Sequence, residues 1–410
     1  MSTSYEFKMG NDNGNANHDA VINNTFLTQP NVNRRIFNLK GYDNVSTTTA
    51  LSEINDRIVA TITSPSVSSG IYLIGHSALN SGKKPNEFMV GYEKKSNSEI
   101  PMINTLGLVS AYAVKNHYEK TRRQPQNGDT INVSIEMTTA LPIREYYEDK
   151  KYKEVFTEKY LTGPHTVMVH LGEVNVKVNI EFNKVYVTPE ASSVYWFLDS
   201  VEGNEDLSNE LFKELMEEYN LESVSGKKVS KSRILHVDIG SGTTEFPLTT
   251  PSPDPAFITG KDLGIGHAID AILSDFGNEI NIPELTRLEF DQILRKERNP
   301  QFHTKAYNKI EPFLREQAND ILEELNRQLR AARLDVDYIL VYGGGSIPLK
   351  EFMYEEVKSL AESTGKAQVI YAPASLAVKM NALGLNAFVN HEVFQKKTAD
   401  QTAKVAESVE

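Results

Sequence analysis

Cysteine is absent from the 410 residues, and tryptophan occurs once. The first absence excludes a disulfide-stapled fold, thiolate zinc sites, iron–sulfur clusters and cysteine nucleophiles, and it fits a reducing compartment. Long apolar runs are missing as well. Nowhere do about 18 apolar residues follow one another, so no stretch reads as a membrane span. The stretch Met1 to Gly10 has neither the basic nor the apolar region of a signal peptide, and the chain is expected in the cytoplasm with no membrane partner. Positive charge is in short supply, with 43 Lys and Arg against 55 Asp and Glu and a net charge of −12. Phosphate neutralisation needs clustered Lys and Arg, so no direct contact with nucleic acid is expected. Any link to DNA runs through a partner.

Several motifs are also missing. There is no His-Glu-x-x-His, no Gly-x-Ser-x-Gly and no Gly-x-x-x-x-Gly-Lys-Ser/Thr, which leaves zinc proteolysis, serine hydrolysis and a P-loop without support. A dinucleotide-binding reading of Gly240-Ser-Gly242 fails too. Its third glycine position is Glu245, and the chain continues as a proline-containing strand and not as a helix.

Alternation and turn residues outline the organisation. Tyr5 to Met9 reads as a strand running into the polar turn Gly10 to Asn15, and His18 to Ile22 reads as its hairpin return. Residues 31–100, rich in Ser, Thr and Asn, read as a small β-rich inserted subdomain. A helical stripe spans Asn104 to Tyr118, and a strand spans Ile131 to Met137. Thr166 to Leu171, Val174 to Phe182 and Lys184 to Thr188 read as three β runs of a meander, and Glu190 to Val201 as a helix. Arg233 to Asp238 is a strand ending at Gly240-Ser-Gly242, followed by a stiff loop at Pro251, Pro253 and Pro255. A helix opens near Gly264, the longest periodic stretch runs from Ile310 to Leu329, and Tyr338 to Val341 is a strand entering Gly343-Gly-Gly345. The polar tail 390–410 is expected to fray. Each half of the chain carries a strand ending in Asp-x-Gly, at Asp12-Asn-Gly14 and Asp238-Ile-Gly240. Two similar lobes are implied.

Three glycine turns could carry chemistry. In Asp238-Ile-Gly-Ser-Gly-Thr-Thr-Glu245, glycines let backbone N–H groups approach an anion, and the hydroxyls of Thr243 and Thr244 are expected to donate to phosphate oxygens. Asp238 at the strand end could hold a hydrated Mg2+. Taken alone, the segment reads equally well as a tight Asp-capped hairpin. Asp12-Asn-Gly-Asn-Ala-Asn17 is a second such turn, weaker because Asn/Gly turns are common in hairpins. Tyr338 to Leu349 combines a buried strand, three glycines and a helix start, a geometry that lets backbone lie against a base or sugar. Glu190 follows Thr188-Pro189 where a helix dipole would favour an acid whether or not it does chemistry.

Taken in order, Asp12-Asn-Gly-Asn15, Asp238-Ile-Gly-Ser-Gly-Thr-Thr244 and Gly343-Gly-Gly345 resemble the phosphate 1, phosphate 2 and adenosine motifs of the actin-like ATPase superfamily. With Val187-Thr-Pro-Glu190 between the first two, the chain looks specifically like the plasmid-segregating bacterial actins of the ParM/StbA type. The resemblance implies an α/β, actin-like two-lobed fold, with two ribonuclease H-like domains flanking a nucleotide cleft. Domain I would span 1–188 and domain II 189–389. It implies that Asp12 and Asp238 hold Mg2+ through water, and that Asn13, Gly14, Asn15 and Asn17 line one side of the phosphates of ATP or GTP. Gly240, Ser241, Gly242, Thr243 and Thr244 would line the other side, and Gly343, Gly344, Gly345 and Ser346 would contact adenosine or ribose. Gly264 and Gly266 match a further glycine turn near the nucleotide. Glu190, which would orient the attacking water, and Asp238 take the catalytic positions. One departure stands out. Members usually carry a lysine near the end of phosphate 1, where this chain has His18-Asp19.

The resemblance implies a cytoplasmic, filament-forming ATPase that assembles head to tail with itself and moves plasmid DNA. An adaptor of the ParR type bound to centromere-like DNA would make the nucleic-acid contact. The same superfamily also holds non-polymerising kinases, chaperone-like ATPases and cell-division actins. No extra Asp marks a sugar hydroxyl site, the stretch after residue 386 is short and polar where a chaperone is expected to carry a peptide-binding domain, and 390–410 lacks the bulky apolar residues of a membrane-tethering helix.

Overall fold

The computed structural model describes residues 2–42, 44–88, 93–250, 252–257 and 259–407. The chain divides into two compact units. One holds Met1–Leu141, Glu145–Thr188 and Leu385–Glu410, and the other holds Pro142–Arg144 and Pro189–Gly384.

The first unit is built on ten strands: β1 (Ser2–Asn13), β2 (Asn17–Ile22), β3 (Thr25–Pro30), β4 (Val32–Ile36), β5 (Ile58–Ser64), β6 (Val67–Ile74), β7 (Asn86–Glu87), β8 (Thr130–Leu141), β9 (His165–Leu171) and β10 (Val174–Pro189). Their order in the sheet is β3-β2-β1-β8-β10-β9-β5-β6-β4-β7. β1 pairs antiparallel with β2 and parallel with β8, so the Asp12 hairpin is anchored on its other flank by a long crossover strand. Strict alternation in Ile131, Val133, Ile135 and Met137 sends these side chains to one face, where they are buried. The helix Ile100–Thr121 covers that core with Leu106, Val109 and Ala113, all fully buried.

Three expectations change here. The strands of residues 31–100 form no sheet of their own, because β5 pairs with β9 and carries β6, β4 and β7 onto the edge of the common sheet. Lys184 to Thr188 is not a separate strand but the end of β10, whose alternation continues unbroken through Asn183-Lys184. The tail is helical from Glu392 to Glu407, with Phe394 fully buried. Residues 408–410 lie outside the described residues.

The second unit repeats the hairpin theme on seven strands: β11 (Ile234–Ile239), β12 (Thr244–Glu245), β13 (Leu248–Thr250), β14 (Ser252–Pro253), β15 (Gly260–Lys261), β16 (Tyr338–Tyr342) and β17 (Gln368–Tyr371). β11 is buried along its whole length, pairs antiparallel with β12 and β13, and pairs parallel with β16, which in turn pairs parallel with β17. A strand buried on both faces reads as a continuous apolar run, as Ile234-Leu-His-Val-Asp-Ile239 nearly does. The helix His303–Ala331 places Ile310, Leu314, Ala318, Ile321, Leu325 and Leu329 on one buried stripe, as its 3.6-residue period requires. Of the proline loop, Pro253 sits in β14, Pro255 opens a short 3-10 turn, and Pro251 lies outside the described residues.

Candidate functional site

In the second unit, Asp238 and Glu245 face each other across β11 and β12, and Gly240 N–H closes the intervening turn on Thr243 O at 2.9 Å. A second glycine turn grips this one. Ile265, Gly266 and Gly264 donate their N–H groups to the carbonyls of Gly240, Ser241 and Gly242 at 3.1, 2.7 and 3.1 Å. The approach demands glycine, since a Cβ on Gly264 would lie 2.3 Å from Ser241 O and one on Gly266 2.7 Å from it. In a trans peptide the carbonyl and the following N–H point in opposite directions. Gripping these three carbonyls therefore turns the N–H groups of Ser241, Gly242 and Thr243 the other way, and none of them has a hydrogen-bond partner among the described residues. Successive N–H groups aimed outward form a cradle for an anion.

Thr244 does not belong to that cradle. It is fully buried, and its hydroxyl donates to Leu263 O at 2.8 Å, so its single proton holds the two glycine turns together and is not offered to a phosphate. Asp238 is 7% exposed, and its Oδ2 accepts from Asn381 Nδ2 at 2.8 Å. Asn381 Oδ1 in turn accepts from Ser193 Oγ at 3.3 Å. Glu245 is buried with its Oε2 unpartnered, lodged where a Cβ on Gly260 would meet it at 2.2 Å. Burial, reinforced by the charges of Glu190 and Asp238, pushes the Glu245 carboxyl well above the usual carboxylate range. Glu190 itself lies in a turn before the helix Val194–Val201, with Ala191 at φ 64°. The expected helix starts four residues later than the sequence suggests.

The adenosine-type turn packs on the same strand. Gly343, at φ 88°, comes so close that a Cβ would lie 2.4 Å from Ile239 O and 2.6 Å from Asp238 Oδ1. Gly345 N–H donates to Ile239 O at 2.8 Å. Gly344 has room, its nearest neighbour being Val378 Cγ1 at 3.6 Å from the Cβ position. Ser346 is fully buried and its hydroxyl donates to Gly343 O at 2.8 Å, so it shapes the turn and has no proton left for a ribose.

In the first unit, alternation along β1 turns Asn11 and Asn13 inward and leaves Asp12 on the opposite face, half-buried. Both inward amides donate to Thr105 Oγ1 on the helix Ile100–Thr121, at 3.2 and 3.3 Å. Asn13 is thus 1% exposed, and its amide nitrogen is committed to the helix and not to the open side of the turn. Gly14, Asn15 and Asn17 are half-exposed around that turn. His18 is fully buried, with Nε2 on Asn11 Oδ1 at 2.7 Å and Nδ1 on Gln29 Nε2 at 3.2 Å. Burial and then the charge of Lys95 lower its pKa to about 3, so it supplies no positive charge at neutral pH.

Each unit by itself carries donors of the kind a magnesium–nucleoside phosphate uses: outward N–H groups for phosphate oxygens and an Asp at a strand end. Among the described residues no group of three or more His, Asp or Glu side chains could cage a metal. A cation would keep most of its own water shell, as Mg2+ does beside phosphates. Sequence reading missed Asn381, which sits in no motif, and gave Glu245 no role, although it closes the glycine segment.

No protein-family model matches the chain, and no curated protein matches it in sequence. Solved structures do match in shape. The actin-like protein Alp7A superposes with a TM-score of 0.67 at 16% identity, covering 98% of this chain and 100% of its own. Bacillus thuringiensis ParM, solved with ATP, gives 0.58 at 17% over 94% and 98%. ParM of a 15-stranded filament from Clostridium botulinum gives 0.58 at 17% over 95% and 99%. The chain has the mixed α/β actin-like fold, shared with Alp7A and ParM over nearly its full length at low identity.

Proposed function

We propose that this chain is a filament-forming actin-like ATPase that polymerises with Mg-ATP or Mg-GTP and segregates DNA, most simply a plasmid, through a ParR-type adaptor bound to centromere-like DNA. One observation carries the reading: two Asp-x-Gly hairpins end central strands and turn outward N–H groups that have no partner among the described residues, in a fold shared with ParM. Phosphoryl transfer asks little covalent work of a protein, only charge stabilisation and a positioned water. Mg2+ would supply neutralisation of the phosphate oxygens. Asp12 and Asp238 hold its waters, and the N–H groups of Ser241, Gly242 and Thr243 take phosphate oxygens. Glu190 orients the attacking water. The glycines at 343–345 admit the nucleoside side. With a net charge of −12, the chain itself leaves DNA to the adaptor.

Light scattering and phosphate release, followed together on the purified chain with Mg-ATP, Mg-GTP, ADP or no nucleotide, test this. Scattering that rises with triphosphate and decays as phosphate appears is the expected result. Hydrolysis without any rise over a wide protein concentration would move the chain to the non-polymerising branch of the fold. Asp238→Ala is expected to lose Mg-nucleotide binding, whereas Glu190→Ala binds and assembles but hydrolyses slowly. Equal loss of binding in both would remove Glu190 from its water-orienting role.

A further inference from the structure

Asn31 lies between β3 and β4 in no recognisable motif, yet it holds the Asp12 hairpin at two points. Its N–H donates to Ala16 O at 2.8 Å, and its Nδ2 donates to Gly14 O at 2.6 Å. The turn it holds has no room for a side chain at its glycine, where a Cβ would sit 2.9 Å from Asn17 O. With the Gly14 carbonyl drawn toward Asn31, the N–H of Asn15, which shares that peptide plane, points the opposite way. That N–H has no hydrogen-bond partner among the described residues.

The clamp is itself clamped. Asn104 Nδ2, on the helix Ile100–Thr121, donates to Asn31 Oδ1 at 2.8 Å, and Asn33 Nδ2 donates to Asn104 Oδ1 at 3.1 Å. These three asparagines are between 0 and 2% exposed. Each amide is therefore polarised by the one behind it without competition from water, and all three donate toward Gly14. The Asp238 hairpin obtains the same result by other means, its carbonyls being gripped by main-chain N–H groups of residues 264–266. A side-chain relay in one unit does what a second glycine turn does in the other.

We infer that Asn31, backed by Asn104 and Asn33, is a phosphate-positioning residue that aims the Asn15 N–H at the β- or γ-phosphate of the nucleotide. The inference rests on the nucleotide reading of the site above. It assigns a function to a buried network that would otherwise only stitch β4 to the helix.

Binding of Mg-ATP and of AMP to Asn31→Ala tests it, alongside the melting temperature without nucleotide. Loss of one charge-assisted hydrogen bond is expected to weaken Mg-ATP about tenfold and to leave AMP, which lacks the outer phosphates, unchanged. Unchanged Mg-ATP affinity with a lowered melting temperature would overturn the inference, as would equal weakening of both ligands. Should Asn31→Ala not fold, Asn104→Ala keeps the bond to Gly14 but frees the Asn31 amide to turn. It is expected to show the same selective loss at about two- to threefold, and an unchanged ratio of the two affinities in this variant would equally overturn the role. If the unaltered chain binds neither ligand, the nucleotide reading itself fails and takes the inference with it.

Discussion

Asn381 donates its Nδ2 to the Asp238 carboxylate at 2.8 Å across 143 residues of sequence. With Ser193 Oγ donating to Asn381 Oδ1, the amide cannot rotate freely, and it fixes the Oδ2 oxygen of Asp238. Asn381→Ala removes a hydrogen bond to a charged group, worth about 1.5–3 kcal/mol. Its expected effect is a roughly tenfold weaker Mg-nucleotide affinity, with binding in EDTA little altered. Isothermal titration with and without Mg2+ measures both, and equal losses in the two conditions would mean that Asn381 does not act through Asp238.

The glycines at 343 and 344 separate packing from ligand contact. Gly343→Ala meets Ile239 O at 2.4 Å in a left-handed conformation, and two costs of about 1–3 kcal/mol each add there, one for overpacking and one for strain. Gly344→Ala meets nothing closer than 3.6 Å and has no such strain. The expectation is that urea midpoints drop for the first variant and hold for the second. A loss of nucleotide affinity in Gly344→Ala, at unchanged midpoint, would show that the ligand uses the space at its Cβ position.

Legibility in the sequence followed range. The hairpins at Asp12 and Asp238 and the turn at Gly343 could be read because strand and glycines, with a carboxylate in the two hairpins, lie close together in sequence, and each choice is dictated locally. Side-chain direction was not legible: Asn13, Thr244 and Ser346 looked like phosphate and ribose contacts until the Asn13 amide was found on Thr105 Oγ1 and the two hydroxyls on Leu263 O and Gly343 O. Asn31 and Asn381 act on partners brought near only by folding, and an isolated asparagine leaves no period or spacing to detect. The strands of residues 31–100 were visible one by one. That β5 pairs with β9, more than 100 residues later, was not.

His18 makes acid stability a readable quantity. Its pKa is lowered from an unfolded value of about 6.5 to about 3, first by burial and then by the charge of Lys95, with Asn11 and Gln29 on its ring nitrogens. Between those values the folded chain binds fewer protons than the unfolded one, so stability rises with pH. The contribution is complete above about pH 6.5 and is lost as pH falls toward 3, by up to about 1.4 kcal/mol per pH unit. In His18→Gln that share of the slope disappears. Urea denaturation at pH 7 and pH 5 is expected to show a smaller drop in the variant than in the parent chain, and parallel drops would contradict a neutral buried His18.

The C-terminal helix offers a sharp choice between a decorative tail and a structural element. Only one large apolar residue, Phe394, marks the described part of Glu392–Glu407, and the stretch looks polar for that reason. Yet Phe394 is fully buried against Phe388, with ring centroids 6.0 Å apart. Beside it, Gln395 Nε2 donates to Glu136 Oε2 at 2.9 Å, and Lys184 Nζ bridges to Glu136 Oε1 at 2.9 Å, so the helix is tied to β8 and β10. Truncating a buried phenylalanine costs about 3–5 kcal/mol, whereas a part-buried hydrogen bond to a carboxylate is worth about 1.5–3 kcal/mol. Phe394→Ala is therefore expected to lower the unfolding free energy by more than Gln395→Ala, and deletion of residues 392–410 by at least as much as Phe394→Ala. A deletion variant with an unchanged denaturation midpoint would return this segment to the frayed state that its composition suggests.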